Sequence, residues 1–301
     1  MKNAPPVTDR RRVLATRLLG VWLGLVVVAA PSQSATDATY TEVYYPSGGL
    51  RIQAYVYKPD GNAPFPVVVY NHGSRVGRER VSVPYPYIGE MLTRAGYVVL
   101  VTERRGYGKS DGSVWRSEPD HQAQLVPRLE EETEDVLAAL DFLRTLPFAD
   151  TTRIGIMGWS FGGIVTMFAV SRSTAFEVAV DQAGGALTWD GNAQVRSALM
   201  AAADNATTPM LLLVAQNDRT TASVTTLADI FQQRGVPHRL VIYQPFTPPR
   251  GGTATAPGHR VFSDEGTGVW ERDVLEFLGR YLGATSKGAP GGGPDPAKSQ
   301  H

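Results

Sequence analysis

The sequence predicts an α/β domain: a mostly parallel central sheet with helices on both faces, an antiparallel hairpin at its N-terminal edge and no large cap domain. Short apolar runs alternate with helix-like segments along most of the 301 residues, the pattern of strand–helix–strand units. Several runs are continuously apolar, such as Val67–Tyr70, Tyr97–Thr102 and Met210–Val214, as strands buried on both faces require. Only Gln182–Thr208 separates the strand ending at Asp181 from the one starting near Met210, which leaves room for a helix or two but not a cap.

The elements follow in order. Thr39–Tyr45 and Leu50–Lys58 alternate in polarity around Ser47-Gly48-Gly49, the mark of a hairpin. Val67–Tyr70 is the first buried strand, and Tyr87–Arg94 is a helix closed by Ala95-Gly96. Tyr97–Thr102 is the next strand. Arg128–Leu146 reads as a long acidic helix stopped by Pro147, with Leu129, Val136, Leu140 and Leu143 on one face. Strands over Arg153–Met157, Val178–Asp181, Met210–Val214 and Leu240–Tyr243 complete the set. Helices over Val224–Arg234 and Val269–Leu282 fill the rest.

The termini are expected to lie outside this domain, which spans 35–283. Lys2, Arg10, Arg11, Arg12 and Arg17 precede an apolar stretch, Leu18–Ala30, too short to span a bilayer comfortably; small residues follow. This is the layout of a secretory signal peptide over residues 1–34, with a loose twin-arginine pattern at Asp9–Leu14. Its removal takes five basic groups and one acid, leaving a mildly acidic chain with no stable membrane anchor. Export permits disulfides, but the chain has no cysteine. The Gly/Pro-rich segment 284–301 reads as a disordered tail. Nothing in the charge balance suggests nucleic-acid binding. Metal-ligand spacing is absent, so no metal or other cofactor is expected.

The chemistry is carried by Gly158-Trp159-Ser160-Phe161-Gly162, placed after a strand and before the helix-like stretch Ile164–Val170. That context makes Gly-x-Ser-x-Gly a nucleophile elbow, with Ser160 on a tight turn pointing out of the backbone. A serine hydroxyl needs a base, and the base an orienting acid, in the chain order Ser, acid, His. His72 and His121 precede Ser160; His238 starts a strand; His301 ends the tail. His259, on a loop after the last strand, is the base. Asp218 lies just past the carboxyl end of the Met210 strand, where catalytic residues of open sheets collect. Its rivals are Asp181, Asp190 and Asp204. The oxyanion hole calls for the Phe161 N–H and one from the loop Asn71-His72-Gly73-Ser74, with Ser74 first choice and Arg75 the fallback. Trp159 and Trp189 are candidate substrate contacts. The Arg75, Arg78, Arg80 cluster is read as a solvated loop, and Glu103-Arg104-Arg105 as a structural turn.

Together, Asn71–Ser74, Arg104–Gly112, Gly158–Gly163, Asp218 and Gly258-His259 resemble the α/β-hydrolase superfamily. Within it the chain is similar to dienelactone-hydrolase-like esterases and to the catalytic domains of prolyl-oligopeptidase-like peptidases. It departs from true dienelactone hydrolases, which carry a cysteine nucleophile. The resemblance implies a serine hydrolase of carboxylic esters; with the signal-peptide layout and the short Gln182–Thr208 segment, the expectation is an exported enzyme for esters with short to medium acyl or aromatic groups. Its substrate would be a small or polymeric ester. The alternatives are a serine peptidase with the same triad and a non-catalytic binding protein of this fold.

Overall fold

A computed structural model describes residues 39–118, 120–251 and 256–283. The expected signal peptide and the Gly/Pro-rich tail lie outside these residues, as do residues 252–255 of the segment leading to His259.

Eight strands form one sheet: β1 (Tyr40–Ser47), β2 (Leu50–Tyr57), β3 (Phe65–Asn71), β4 (Val98–Glu103), β5 (Ala149–Trp159), β6 (Val178–Gln182), β7 (Met210–Ala215) and β8 (His238–Tyr243). Their spatial order is β1-β2-β4-β3-β5-β6-β7-β8. The β1/β2 and β2/β4 pairings are antiparallel and every other pairing is parallel. The alternating runs became the hairpin, and the continuous apolar runs became interior strands: Val67, Val68 and Val69, for example, have no exposed surface.

Six α-helices accompany the sheet: α1 (Pro86–Arg94), α2 (Leu125–Leu143), α3 (Phe161–Arg172), α4 (Ala193–Asn205), α5 (Ala222–Arg234) and α6 (Thr267–Leu282). The largest displacements are at β5, which starts at Ala149, four residues before the expected Arg153, and at α2. The helix starts three residues before Arg128, because Pro127 falls in its first turn, where no backbone N–H is needed. It ends at Leu143, short of the stop that Pro147 had suggested. Its face of Leu129, Val136, Leu140 and Leu143 is buried as expected. The segment between β6 and β7 holds α4 and a short turn.

The strand order reverses between β3 and β5: from β3 the chain steps to β4 on one side, and from there to β5 on the other. Such a switch point opens a crevice beyond the carboxyl ends of the strands. Parallel pairing of Asn71 with Gly158 brings the loop after β3 and the turn after β5 side by side at that crevice.

Candidate active site

Ser160 stands at the switch point, between the end of β5 and the first residue of α3. Its backbone takes φ 59° and ψ −117°, a conformation that costs a non-glycine residue on the order of 1–3 kcal/mol. The surroundings hold it there. Ser160 N–H donates to the Gln182 carbonyl at 2.9 Å, and Ile164 N–H donates to the Ser160 carbonyl at 3.2 Å. The turn is tight enough that only glycine fits on either side. A Cβ on Gly158 would stand 2.1 Å from the Gly162 carbonyl oxygen, and one on Gly162 would stand 1.9 Å from that of Asn71.

The loop after β3 packs directly on this turn, since a Cβ at Gly73 would lie 3.1 Å from the Ser160 Cβ. Buried charge holds the loop from beneath. The Arg104 guanidinium, fully buried, donates to the His72 carbonyl at 2.8 Å and to Glu132 at 2.7 Å. Arg75 pairs with Glu103, which also accepts the Val83 N–H at 2.7 Å. His72 Nδ1 lies 2.6 Å from the Gly73 carbonyl, so its protonated nitrogen is spent on the loop. Burial, then the Arg104 and Arg75 charges, push His72 down to about 4, which keeps it neutral near pH 7. This anchoring fixes Gly73 and Ser74 beside the nucleophile turn. The Phe161 N–H is among the first amides of α3, which a helix leaves without internal partners. Trp115 packs edge-on against the Phe161 ring at 5.7 Å.

Asp218 follows β7 by three residues and is buried. His259 lies on a 3-10 turn, Pro257–Phe262. The two meet, with His259 Nδ1 2.8 Å from Asp218 Oδ2; the other carboxylate oxygen accepts the Arg219 N–H at 2.7 Å. Two residues that carried little weight in the sequence make this contact possible. Gly258 lets the histidine turn close on the aspartate turn, because a Cβ there would stand 2.5 Å from the Asp218 nitrogen. Asn217 clamps the segment that leads to His259, giving its side-chain N–H to the Phe246 carbonyl and accepting the Phe246 N–H. Asparagine beside Asp218 and glycine beside His259 were the available signals.

His259 Nε2 is buried without a hydrogen-bond partner, and no hydrogen bond joins it to Ser160. The Trp159 ring packs 5.7 Å from the His259 ring. The rival acids sit elsewhere. Asp181, at the end of β6, accepts the Gly184 N–H at 2.6 Å, and burial pushes its carboxyl up to about 7. Asp204 is on α4, 3.7 Å from Arg234. Asp190 is exposed. His121 stacks edge-on with Trp115, and His238 is bound to the Val236 carbonyl at the start of β8. Trp189 is 5 % exposed in the core, and among the described residues no ring contact joins it to Trp159 or His259. Of the arginine cluster, Arg78 is exposed to solvent, whereas Arg75 is turned inward onto Glu103 and Arg80 donates to the Ser110 and Gly112 carbonyls.

Comparison with solved structures gives the fold its name. An acylaminoacyl peptidase of Pyrococcus horikoshii superposes with a TM-score of 0.64 at 21 % identity, over 85 % of this chain and 44 % of that one. An esterase of Pyrococcus furiosus superposes with a TM-score of 0.58 at 18 % identity, over 81 % of this chain and 90 % of that one. The prolyl oligopeptidase family matches residues 87–190. The chain has the α/β-hydrolase fold. Among curated sequences the chain is 31 % identical over 134 residues to the thiohydrolase aneE of Aspergillus aculeatus, 44 % of this chain and 38 % of that one. It is 30 % identical over 190 residues to a Methylorubrum extorquens protein named "Putative carboxymethylenebutenolidase", 59 % of this chain and 61 % of that one. These two alignments cover less than two thirds of the relatives' own length. These likenesses support a serine hydrolase of the α/β-hydrolase type. Among the described residues no group of side chains could hold a metal ion, and no helix is long and apolar enough to cross a membrane.

Proposed function

We propose that this hydrolase is an exported serine esterase acting on carboxylic esters of short to medium acyl or aromatic groups. One observation carries the reading: a serine sits in a strained strand-to-helix turn, and the ring of the residue before it packs against a buried Asp–His pair whose second imidazole nitrogen is uncommitted. Asp218 accepts the Nδ1 proton, which leaves Nε2 as the lone-pair nitrogen. His259 then takes the Ser160 proton as the hydroxyl attacks the ester carbonyl. Asp218 stabilises the imidazolium that forms. The Phe161 and Ser74 amides receive the oxyanion. His259 returns its proton to the departing alcohol, and water, activated in the same way, releases the acid from Ser160. No cofactor enters these steps. Export rests on the basic and apolar N-terminal segments of residues 1–34.

A serine peptidase with the same machinery is the second reading, favoured by the match to the prolyl oligopeptidase family. Nitrophenyl esters assayed beside aminoacyl nitroanilides separate the two. The esterase reading expects ester turnover in large excess over anilide turnover, together with fluorophosphonate labelling that disappears in Ser160→Ala. Anilide turnover equal to or above ester turnover would establish the peptidase. Absence of labelling would point to a non-catalytic binding protein.

A further inference from the structure

Beside the nucleophile turn lies a cavity of about 470 Å³. Tyr85, Pro86, Tyr87 and Trp159 line it, and so do the carboxylates of Glu90 and Asp264. Trp159 ties it to the chemistry, because the ring that lines the cavity also packs against His259. Tyr87 ties it to the histidine turn through a 3.1 Å bond from its hydroxyl to the Phe262 carbonyl. Tyr85 is fixed as well: it is buried with φ 54°, a backbone conformation rare for tyrosine, and its ring lies parallel to His72 at 5.9 Å.

The side on which this cavity sits decides what it would hold. In acyl transfer the imidazole hands its proton to the departing group, so the alcohol half of an ester must lie on the histidine side of the carbonyl. The cavity adjoins that side: it is lined by Trp159, the residue before the nucleophile, and by Ser263 and Asp264, which follow directly on the turn that carries His259.

The lining decides the chemistry. Aromatic rings present electron-rich faces, and both attract cations and pack flat apolar groups. Every charged residue that lines the cavity is a carboxylate, and among the described residues no Lys or Arg lines it. Asp264 is paired with Arg250, which is itself 64 % exposed, so that pair is weakened by solvent and leaves Asp264 able to act on a cation. We propose that this cavity is the alcohol-side subsite, and that it takes a ring-bearing alcohol carrying an ammonium group. The inference rests on the Ser160 esterase reading and names the substrate class within it.

Four butyrate or butyrate-like esters test it. Three share the butyryl group and carry phenyl, 4-(ammoniomethyl)phenyl or 4-carboxyphenyl leaving groups. The fourth places the ammonium on the acyl half of a phenyl ester. The expected order of kcat/KM is cationic over neutral over anionic, with the cationic ester about tenfold above the neutral one. The preference should fall toward unity in Asp264→Asn and in the Glu90→Gln/Asp264→Asn pair, each measured as a ratio to the neutral ester in the same preparation. If the double variant does not fold, the single one reads the same ratio. Turnover without charge preference, or a preference that survives both substitutions, would overturn the inference and leave the esterase standing. So would a preference that follows the ammonium to the acyl half. Failure of every ester, with no fluorophosphonate label on Ser160, would instead remove the esterase reading itself.

Discussion

Asp218 and His259 are 41 residues apart in the chain, yet their carboxylate and imidazole are 2.8 Å apart. The contact is made by two turns pressed together, with the Gly258 N–H donating to the Asn217 carbonyl at 3.2 Å. The carboxylate therefore selects which imidazole nitrogen carries the proton. Asp218→Asn should keep the fold and lower kcat by about ten thousandfold, since an amide N–H facing Nδ1 forces the proton onto Nε2. Asp181→Asn should remain within about tenfold of wild type, because Asp181 is spent on Gly184. Steady-state kinetics on a nitrophenyl ester settle both. A severe loss in the Asp181 variant with a mild one in the Asp218 variant would reverse the assignment of the acid.

The nucleophile turn predicts a sharp contrast between two glycines. Gly162→Ala places a methyl 1.9 Å from the Asn71 carbonyl oxygen, where both partners are backbone and neither can give. It should cost more than the usual 1–3 kcal/mol of overpacking and displace Ser160. Gly279→Ala, inside α6, meets nothing within 4 Å and should stabilise by about 0.5–1 kcal/mol. Urea unfolding of the two variants checks the pair. Equal effects would mean that the turn has slack that the geometry denies.

How far the sequence could be read follows from what each feature depends on. The hairpin and interior strands were legible because alternation and continuous apolar runs are local signals of one-sided and two-sided burial. The elbow was legible because its glycines must lie next to Ser160 in the chain. The seating of the loop after β3 was not. Arg104, Glu132 and Arg128 form one buried ion cluster, joined by bonds of 2.7 and 3.0 Å, but they come from a strand end and a helix tens of residues apart. Nothing local marks a charged residue as buried; Arg75 read as solvated for the same reason. Trp189 shows the converse. An aromatic after a strand end gives no local sign of its burial, yet its ring is buried and Arg196 of α4 donates to its carbonyl at 2.6 Å.

Two buried groups give the stability of the fold opposing pH dependences. The Asp181 carboxyl, pushed by burial from 3.8 up to about 7, stays protonated in the folded chain where the unfolded chain has already lost the proton. Its contribution is full below about pH 4 and is lost as pH rises through 7, a change on the order of 4 kcal/mol. His72, pushed from 6.5 down to about 4, stays neutral while the unfolded chain takes up a proton. Its contribution is full above about pH 6.5 and is lost as pH falls toward 4, on the order of 3 kcal/mol. The two slopes largely offset each other in the native protein. Asp181→Asn removes one of them while keeping an acceptor for the Gly184 N–H. Relative to wild type, its stability should rise steadily between pH 4.5 and 7.5. A pH-independent difference in unfolding free energy would show that Asp181 is ionised throughout.

The connection between β6 and β7 sets the last expectation, the response to acyl length. It holds only α4 and a short turn, with no second domain to close over Ser160 among the described residues. Next to the nucleophile, Phe161 and Trp115 are both buried and packed on each other. Each methylene fully removed from water is worth about 0.8 kcal/mol, or about a fourfold gain in kcat/KM per carbon. A tunnel would deliver that gain through long chains; an open crevice runs out of surface after a few carbons. The specificity constant of nitrophenyl esters should therefore climb over the first few carbons and then level off. Activity should also cross the solubility limit of the substrate without a jump, since no second domain among the described residues has to be displaced. A fourfold rise per methylene sustained to long chains, or a jump at a lipid interface, would reveal a closed acyl site.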